Sequence, residues 1–235
     1  MSSSSSFQGL RAAITGGTSG LGLALVEALS RGGARVAFVA RGRDRVDHVR
    51  RQYPGTHGIV GDVSLKDDVY PIAVQMLGEL GGLDLMVNNA SNLGPPSLRL
   101  LADTECEDLE RALAANLVGP FRLTKAVLGA LSASAREGRG GVVVNISSDA
   151  AVNPYPTWGA YSVSKAALRH LTAIWNAEMQ RDGVQFLSID PGDMDTPLHA
   201  QAVPDADRAA LKRPADSARD VLAAIAEALP APARR

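Results

Sequence analysis

Two side chains in this chain have the types and spacing for proton chemistry. Tyr161 and Lys165 stand four residues apart in Tyr161-Ser162-Val163-Ser164-Lys165. In a helix, positions i and i+4 lie on one face, neighbours across a turn. A phenol ordinarily titrates at about 10, and a nearby ammonium favours the phenolate and lowers that value. The pair therefore suits a tuned general acid/base. The same spacing also serves a packed aromatic beside a lysine that threads its amine to water, so the rest of the chain has to decide. A second group, Thr15-Gly16-Gly17-Thr18-Ser19-Gly20-Leu21-Gly22, offers phosphate chemistry. Glycines let the backbone turn tightly against a pyrophosphate, while a helix start supplies N–H donors and a positive dipole end. Thr18 and Ser19 add hydroxyl donors. The bland alternative is a plain strand-to-helix turn.

Positioning both groups takes strands that end where helices begin, and the apolar pattern predicts them. Strand candidates are Ala12–Thr15, Val36–Ala40, Gly58–Val60, Leu83–Asn88, Val142–Ile146 and Val184–Ile189. They lack polar alternation, as expected of parallel strands covered on both faces. Helical patterns fall near 21–32, 44–52, 65–80, 105–136, 159–182 and 216–229, and a short helix is expected in 207–212. The alternation predicts βαβ units and a Rossmann-type doubly wound parallel sheet in three layers, with strand order 3-2-1-4-5-6.

The 235 residues suit one domain, and 46% hydrophobic with 21% charged residues is ordinary for a globular protein. A formal net charge of −1 implies neither a nucleic-acid nor an anionic-membrane partner. Cys106 is the only cysteine, and His48, His57, His170 and His199 show no metal-ligand spacing, so no metal is expected. The serine run reads as a disordered tail over residues 1–8. With no apolar segment of signal or membrane-spanning length, a cytoplasmic location is expected.

Cofactor type is read at the end of the second strand. An acidic residue there would accept from adenosine ribose hydroxyls. Ala40-Arg41-Gly42-Arg43 stands there instead. Arg41 and Arg43 offer forked, permanent charge for a 2′-phosphate, which favours NADP(H) over NAD(H). Read blandly, both are solvated loop charges.

Taken together, the chain resembles the short-chain dehydrogenase/reductases with a Tyr-x-x-x-Lys centre. The motifs stand in the family's order over residues 9 to about 229: Thr15-Gly16-x-x-x-Gly20-x-Gly22, Asp62, Asn88-Asn89-Ala90, Asn116, Ser148, Tyr161-x-x-x-Lys165 and Pro191-Gly192. The resemblance implies that Tyr161 protonates a carbonyl oxygen in reduction, or takes the proton in reverse. It implies that Lys165 lowers the Tyr161 pKa and bonds the nicotinamide ribose. Ser148, thirteen positions before Tyr161, would orient the substrate oxygen. Asn116 would sit at a helix distortion that holds a relay water. Gly16, Thr18, Ser19, Gly20, Leu21 and Gly22 would cradle the cofactor phosphates. Asp62 would meet the adenine amine, with Val63 beside it. Asn88, Asn89 and Ala90 would line the adenosine side. Pro191, Gly192 and Thr196 would meet the nicotinamide, although Thr196 before Pro197 is also a natural N-cap.

Two departures stand out. Ser91 follows Asn-Asn-Ala where the family commonly has Gly, and the family's usual last strand is missing, which puts one of two tetramer interfaces in doubt. The helices over 105–136 and 159–182 resemble those that pair across a two-fold axis, so a homodimer is expected, with a tetramer as the alternative. Residues 193–215 are expected to form a substrate loop. Ser91, Asp149, Tyr155, Trp158, Asp193 and Met194 would line the substrate pocket, and the acids Asp149, Asp193 and Asp195 suggest a small polar or cationic carbonyl or alcohol. The competing reading is a catalytically silent NADP(H)-binding sensor or scaffold.

Overall fold

The structure, a computed structural model, describes residues 7–230. Residues 1–6 of the expected tail and 231–235 lie outside that range. Phe7 and Gln8 enter a turn, in which the Leu10 N–H donates to the Phe7 carbonyl at 3.0 Å.

Six parallel strands form one sheet: β1 (Arg11–Thr15), β2 (Arg35–Ala40), β3 (His57–Val60), β4 (Leu85–Asn88), β5 (Val142–Ile146) and β6 (Gln185–Ile189). Their order is β3-β2-β1-β4-β5-β6, as the alternating pattern predicts. Each strand lies within two residues of its expected bounds. Successive side chains point to opposite faces, and here both faces are apolar. Ala12, Ile14, Val142 and Val144 face α1 (Gly20–Arg31), α2 (Arg43–Gln52) and α8 (Pro214–Ala228). Ala13, Val143 and Met86 face α3 (Lys66–Leu80) and α5 (Gly119–Arg136). This two-sided burial is why the strands read as continuous apolar runs. Among the described residues, no strand follows α8.

The floor of the sheet is pinned by Asp84, just before β4. Its carboxylate accepts from the Arg11 backbone N–H at 2.8 Å, from the Arg11 guanidinium and from the Ser134 hydroxyl at 2.6 Å. Arg139 adds an ion pair at 3.3 Å.

Three helical expectations change in detail. The pattern over 105–136 is interrupted: α4 (Cys106–Leu113) runs into a π-helical turn at Ala114–Val118 before α5 begins. The pattern over 159–182 ends earlier as α6 (Gly159–Glu178), followed by a 3₁₀ turn that Gly183 stops with a φ of 73°. The helix expected at 207–212 is absent. Lys212 instead bridges Met194, with the Asp195 N–H donating to the Lys212 carbonyl and the Lys212 N–H to the Asp193 carbonyl, both at 3.0 Å. That pairing draws the segment out and leaves a single turn at 208–210. The helix of this loop lies upstream, α7 (Pro197–Ala202), where Pro197 takes the first helical position.

Candidate active site

The strand order reverses between β1 and β4, and a cleft of about 1050 Å³ opens there past the carboxyl ends of the strands. That exceeds the roughly 300–1,000 Å³ of common small-ligand pockets. Doubly wound sheets bind their ligands at this switch point.

One end of the cleft is built by the glycine loop between β1 and α1. Gly16 takes a φ of 71°, and a Cβ there would stand 3.0 Å from the Ala90 Cα. Thr15 ties the loop to β4: its hydroxyl accepts from the Asn89 and Ala90 N–H groups, both at 3.0 Å. Asn89 returns a bond to the Thr15 carbonyl at 2.8 Å. Ser19 caps α1 by position but makes no side-chain cap bond. The first-turn N–H groups therefore keep their donors for an anion. Gly16, Thr18, Ser19, Gly20, Leu21, Asn89 and Ala90 all line the cleft. Gly22 does not. A Cβ there would meet the Gly16 carbonyl at 2.2 Å, so Gly22 lets α1 pack under the loop. Asn88 is likewise turned inward, donating to Thr124 at 3.2 Å and Asn145 at 2.8 Å inside the core.

The basic corner differs from expectation in one residue. Arg41 lines the cleft and approaches Asp62 at 3.9 Å. Arg43 opens α2 and is not part of the wall, whereas Arg45 is. Two helical positions turn the side chain by about 200°, so residues 43 and 45 cannot face the same way. Asp62 and Val63 line the adjoining wall, and Asp62 accepts from the Ser64 N–H at 2.9 Å.

The residues expected to carry proton chemistry lie at the other end. Tyr161 and Lys165 are both buried on α6, and the Lys165 amine donates to the Ile146 carbonyl at 2.7 Å. The amine lies 5.6 Å from the centre of the Tyr161 ring. Burial raises the Tyr161 phenol to about 12, against the hydroxyls of Ser148 and Ser91 beside it, while the charges of Asp190 and Asp149 reinforce the rise. Burial also lowers the Lys165 ammonium to about 8. Desolvation dominates both groups and outweighs the depression of the phenol expected from Lys165, whose amine is bonded to a strand carbonyl. Trp158 packs edge-on against Tyr161, ring centres 5.8 Å apart.

Asn116 lies inside the π-helical turn, fully buried. Its Oδ1 accepts from the Asn92 N–H at 2.8 Å and the Ser91 hydroxyl at 3.2 Å. Its Nδ2 donates to the Asn92 carbonyl and to Ser164 Oγ, both at 2.8 Å. The side chain is saturated and joins the loop after β4 to α6. Ser91, which departs from the family pattern, is part of this network.

Around Tyr161 the wall is apolar: Leu93 and Ala150 are buried with it, and Leu98, Trp158, Leu198 and Ala202 pack on them. The α7 segment closes over the loop after β4, with Gln201 donating to the Pro96 carbonyl at 3.2 Å. Ser148, Asp149, Tyr155, Asp193, Met194, Pro191, Gly192 and Thr196 also line the cleft. Thr196 is the N-cap of α7, accepting from the His199 N–H at 3.2 Å. The expected acid cluster is smaller than it reads, because Asp195 is held by a forked pair of bonds from Arg208, both 2.9 Å. Arg45, Arg111 and Asp190 line the cleft without having been singled out in the sequence. Asp190, directly before Pro191-Gly192, carried the clearest signal.

A family model described as short chain dehydrogenase matches residues 11–207. The chain is 35% identical over 202 residues to a short chain dehydrogenase of Pseudocercospora fijiensis, covering 82% of this chain and 62% of that protein. It is 30% identical over 232 residues to a glucose 1-dehydrogenase of Gluconobacter oxydans, covering 93% of this chain and 84% of that one. Two solved structures share the fold. A 3-ketoacyl-(acyl-carrier-protein) reductase of Brucella melitensis complexed with NADH aligns with TM-score 0.85 and 23% identity, covering 93% of this chain and 91% of that one. A short chain dehydrogenase of Shigella flexneri complexed with NADP aligns with TM-score 0.81 and 24% identity, covering 90% and 89%. The fold is a Rossmann-type doubly wound sheet, and the chain belongs to the short-chain dehydrogenase family. The match spans less than two thirds of the fungal relative's length.

Proposed function

We propose that this chain reduces the carbonyl of a small polar molecule to an alcohol, or runs the reverse reaction, with NADP(H) as cofactor. The carrying observation is that Tyr161, Ser148 and Lys165 line the same cleft as an anion-ready glycine loop, with Asn116 tied to both the cleft loop and α6. The loop fits a pyrophosphate by its open N–H groups and by the close approach that Gly16 permits. Arg41 and Arg45 supply two cations at the end where a 2′-phosphate would lie. The bound cofactor would supply the hydride.

The protein manages the proton. In reduction the Tyr161 hydroxyl donates to the carbonyl oxygen, and its proton passes to that oxygen as the carbon gains hydride. The C=O double bond thereby becomes a C–O single bond as one C–H and one O–H bond form, the proton leaving the Tyr161 O–H and the hydride being what the bound cofactor would supply. A phenol held near 12 keeps its proton at neutrality, as an acid in this direction requires. Lys165 places a cation beneath the ring, where it favours the developing phenolate. Asn116 fixes the loop that carries Ser91 and Asn92. A glucose dehydrogenase among the relatives supports a hydroxylated substrate. The apolar wall of Leu93, Trp158 and Leu198 suits one unsubstituted flank of the substrate.

The test is NADPH consumption with a panel of small carbonyls. Tyr161→Phe is expected to lower kcat by about 10²–10⁴-fold, the usual worth of a general acid, while NADPH binding persists. Binding without turnover on any carbonyl would turn the reading toward a cofactor sensor.

A further inference from the structure

Asp149 lines the cleft one residue after Ser148, and both of its carboxylate oxygens are engaged. Oδ1 accepts from the Ser148 hydroxyl at 3.1 Å and Oδ2 from the Tyr155 hydroxyl at 2.6 Å. Ser148 Oγ itself accepts from the Ala150 N–H at 3.2 Å. A serine hydroxyl carries one proton. Here that proton goes to a carboxylate, and a charge-assisted bond is about twice as strong as a neutral one. A substrate carbonyl, a neutral acceptor, must therefore compete with Asp149 for the proton that is meant to orient it.

We propose that Asp149 is a specificity-determining residue that selects carbonyl compounds bearing a hydroxyl on the neighbouring carbon. The inference rests on the reading above, in which Ser148 and Tyr161 receive a carbonyl. An α-hydroxy ketone or aldehyde can exchange partners with the resting site. Its hydroxyl donates to Asp149 Oδ1, and Ser148 turns its proton to the carbonyl oxygen. Every donor keeps an acceptor, and the carboxylate keeps both of its hydrogen bonds. The 3.1 Å between Ser148 Oγ and Asp149 Oδ1 suits two oxygens on adjacent carbons. A plain ketone brings no donor, so taking the Ser148 proton breaks the charge-assisted bond to Asp149 and leaves only water to replace it on that exposed carboxylate, whereas the α-hydroxyl replaces it from the substrate itself. Tyr155 holds the far oxygen and so keeps the near one turned to Ser148.

The experiment compares 1-hydroxy-2-butanone with 2-butanone at saturating NADPH, on the wild type and on Asp149→Asn. Asparagine keeps the shape and removes the charge. The wild type is expected to prefer the hydroxy ketone in kcat/KM by about three- to tenfold, the worth of one charge-assisted hydrogen bond discounted for the exposure of Asp149. Asp149→Asn is expected to erase most of that preference, chiefly by improving 2-butanone, since Ser148 then gives up only a neutral hydrogen bond to bind it. A merely structural role would lower both substrates together and keep their ratio. Equal turnover of the two by the wild type, or a ratio unchanged by Asp149→Asn, overturns the proposal. Should no carbonyl be reduced, it is the reading of the reaction that fails. Ligand-induced thermal shifts of the NADPH-saturated protein with the same two ketones then carry the comparison, and equal shifts overturn the proposal.

Discussion

Tyr161 reaches the cleft as a weak acid made weaker by burial. Its pKa of about 12 lies above the ordinary 10.0, so the protonated form persists across the working range. Carbonyl reduction should therefore hold a plateau in kcat/KM from about pH 6 to about pH 8, where Lys165 begins to lose the charge that favours the phenolate. Alcohol oxidation needs the phenolate and should rise roughly tenfold per pH unit over the same range. Rate profiles in both directions check this, and an oxidation plateau below about pH 8 would count against it. Lys165 gives a stability prediction of definite sign. Its folded value of about 8 lies below the ordinary 10.5, so between those values the unfolded chain binds more protons. The cost of burying the ammonium is thus full below pH 8, and it fades as pH climbs toward 10.5. Lys165→Met is expected to stabilise the fold near neutrality by up to about 3 kcal/mol while abolishing turnover, as read by urea titration and NADPH assay.

Elements decide which side chains share the cleft. The β2–α2 corner presents Arg41 and Arg45, one on the loop and one a half-turn into the helix. Each of Arg41→Ala and Arg45→Ala is expected to raise the KM for NADPH about tenfold, the loss of one charge-assisted pair, while NADH changes little. Arg43→Ala should leave both unchanged, and steady-state kinetics with the two cofactors separate these outcomes. At the floor, β1 and β4 are held by the buried Asp84. Burial alone would raise its carboxyl; the bonds from Arg11, Ser134 and Arg139 outweigh it and hold the group below the ordinary 3.8. Its contribution is present above that ordinary value and is lost as pH falls through the depressed one. Asp84→Ala, which strips Arg11 of its partner, is expected to cost about 3 kcal/mol in urea unfolding at neutral pH.

At the scale of the whole molecule, α5 and α6 carry exposed apolar side chains, Phe121, Val163 and Ile174. Phe121 leans on Trp175, which stacks on Phe186 at 5.6 Å. We expect these helices to pair across a two-fold axis. Light scattering is expected to read twice the monomer mass for the wild type and the monomer mass for a Val163→Asp, Ile174→Asp double variant. Among the described residues, no helix is long and apolar enough to cross a membrane. Much of this level was legible in the chain. Short apolar runs mark strands wherever both faces are covered, and four-residue spacing puts Tyr161 and Lys165 on one helix. What escaped were pairings between distant residues. The helix expected at 207–212 gave way to a bridge with Met194, and Asp195 left the acid cluster for Arg208.

The sequence by itself determined the order of strands and helices, the glycine turn and the placing of Tyr161 and Lys165 on one helix. Each of these rests on local periodicity, a local turn or a fixed spacing. The tertiary structure alone decided that Arg45 rather than Arg43 faces the cleft, and that Asn88 turns into the core. It also decided that Asn116 spends its whole side chain on the loop and α6, and that burial sets the acidity of Tyr161. Desolvation and long-range hydrogen bonds depend on what the folded chain brings alongside, and no window of sequence contains both partners. The same holds for the single proton of Ser148, whose commitment to Asp149 is set by a side-chain rotation that residue order leaves open.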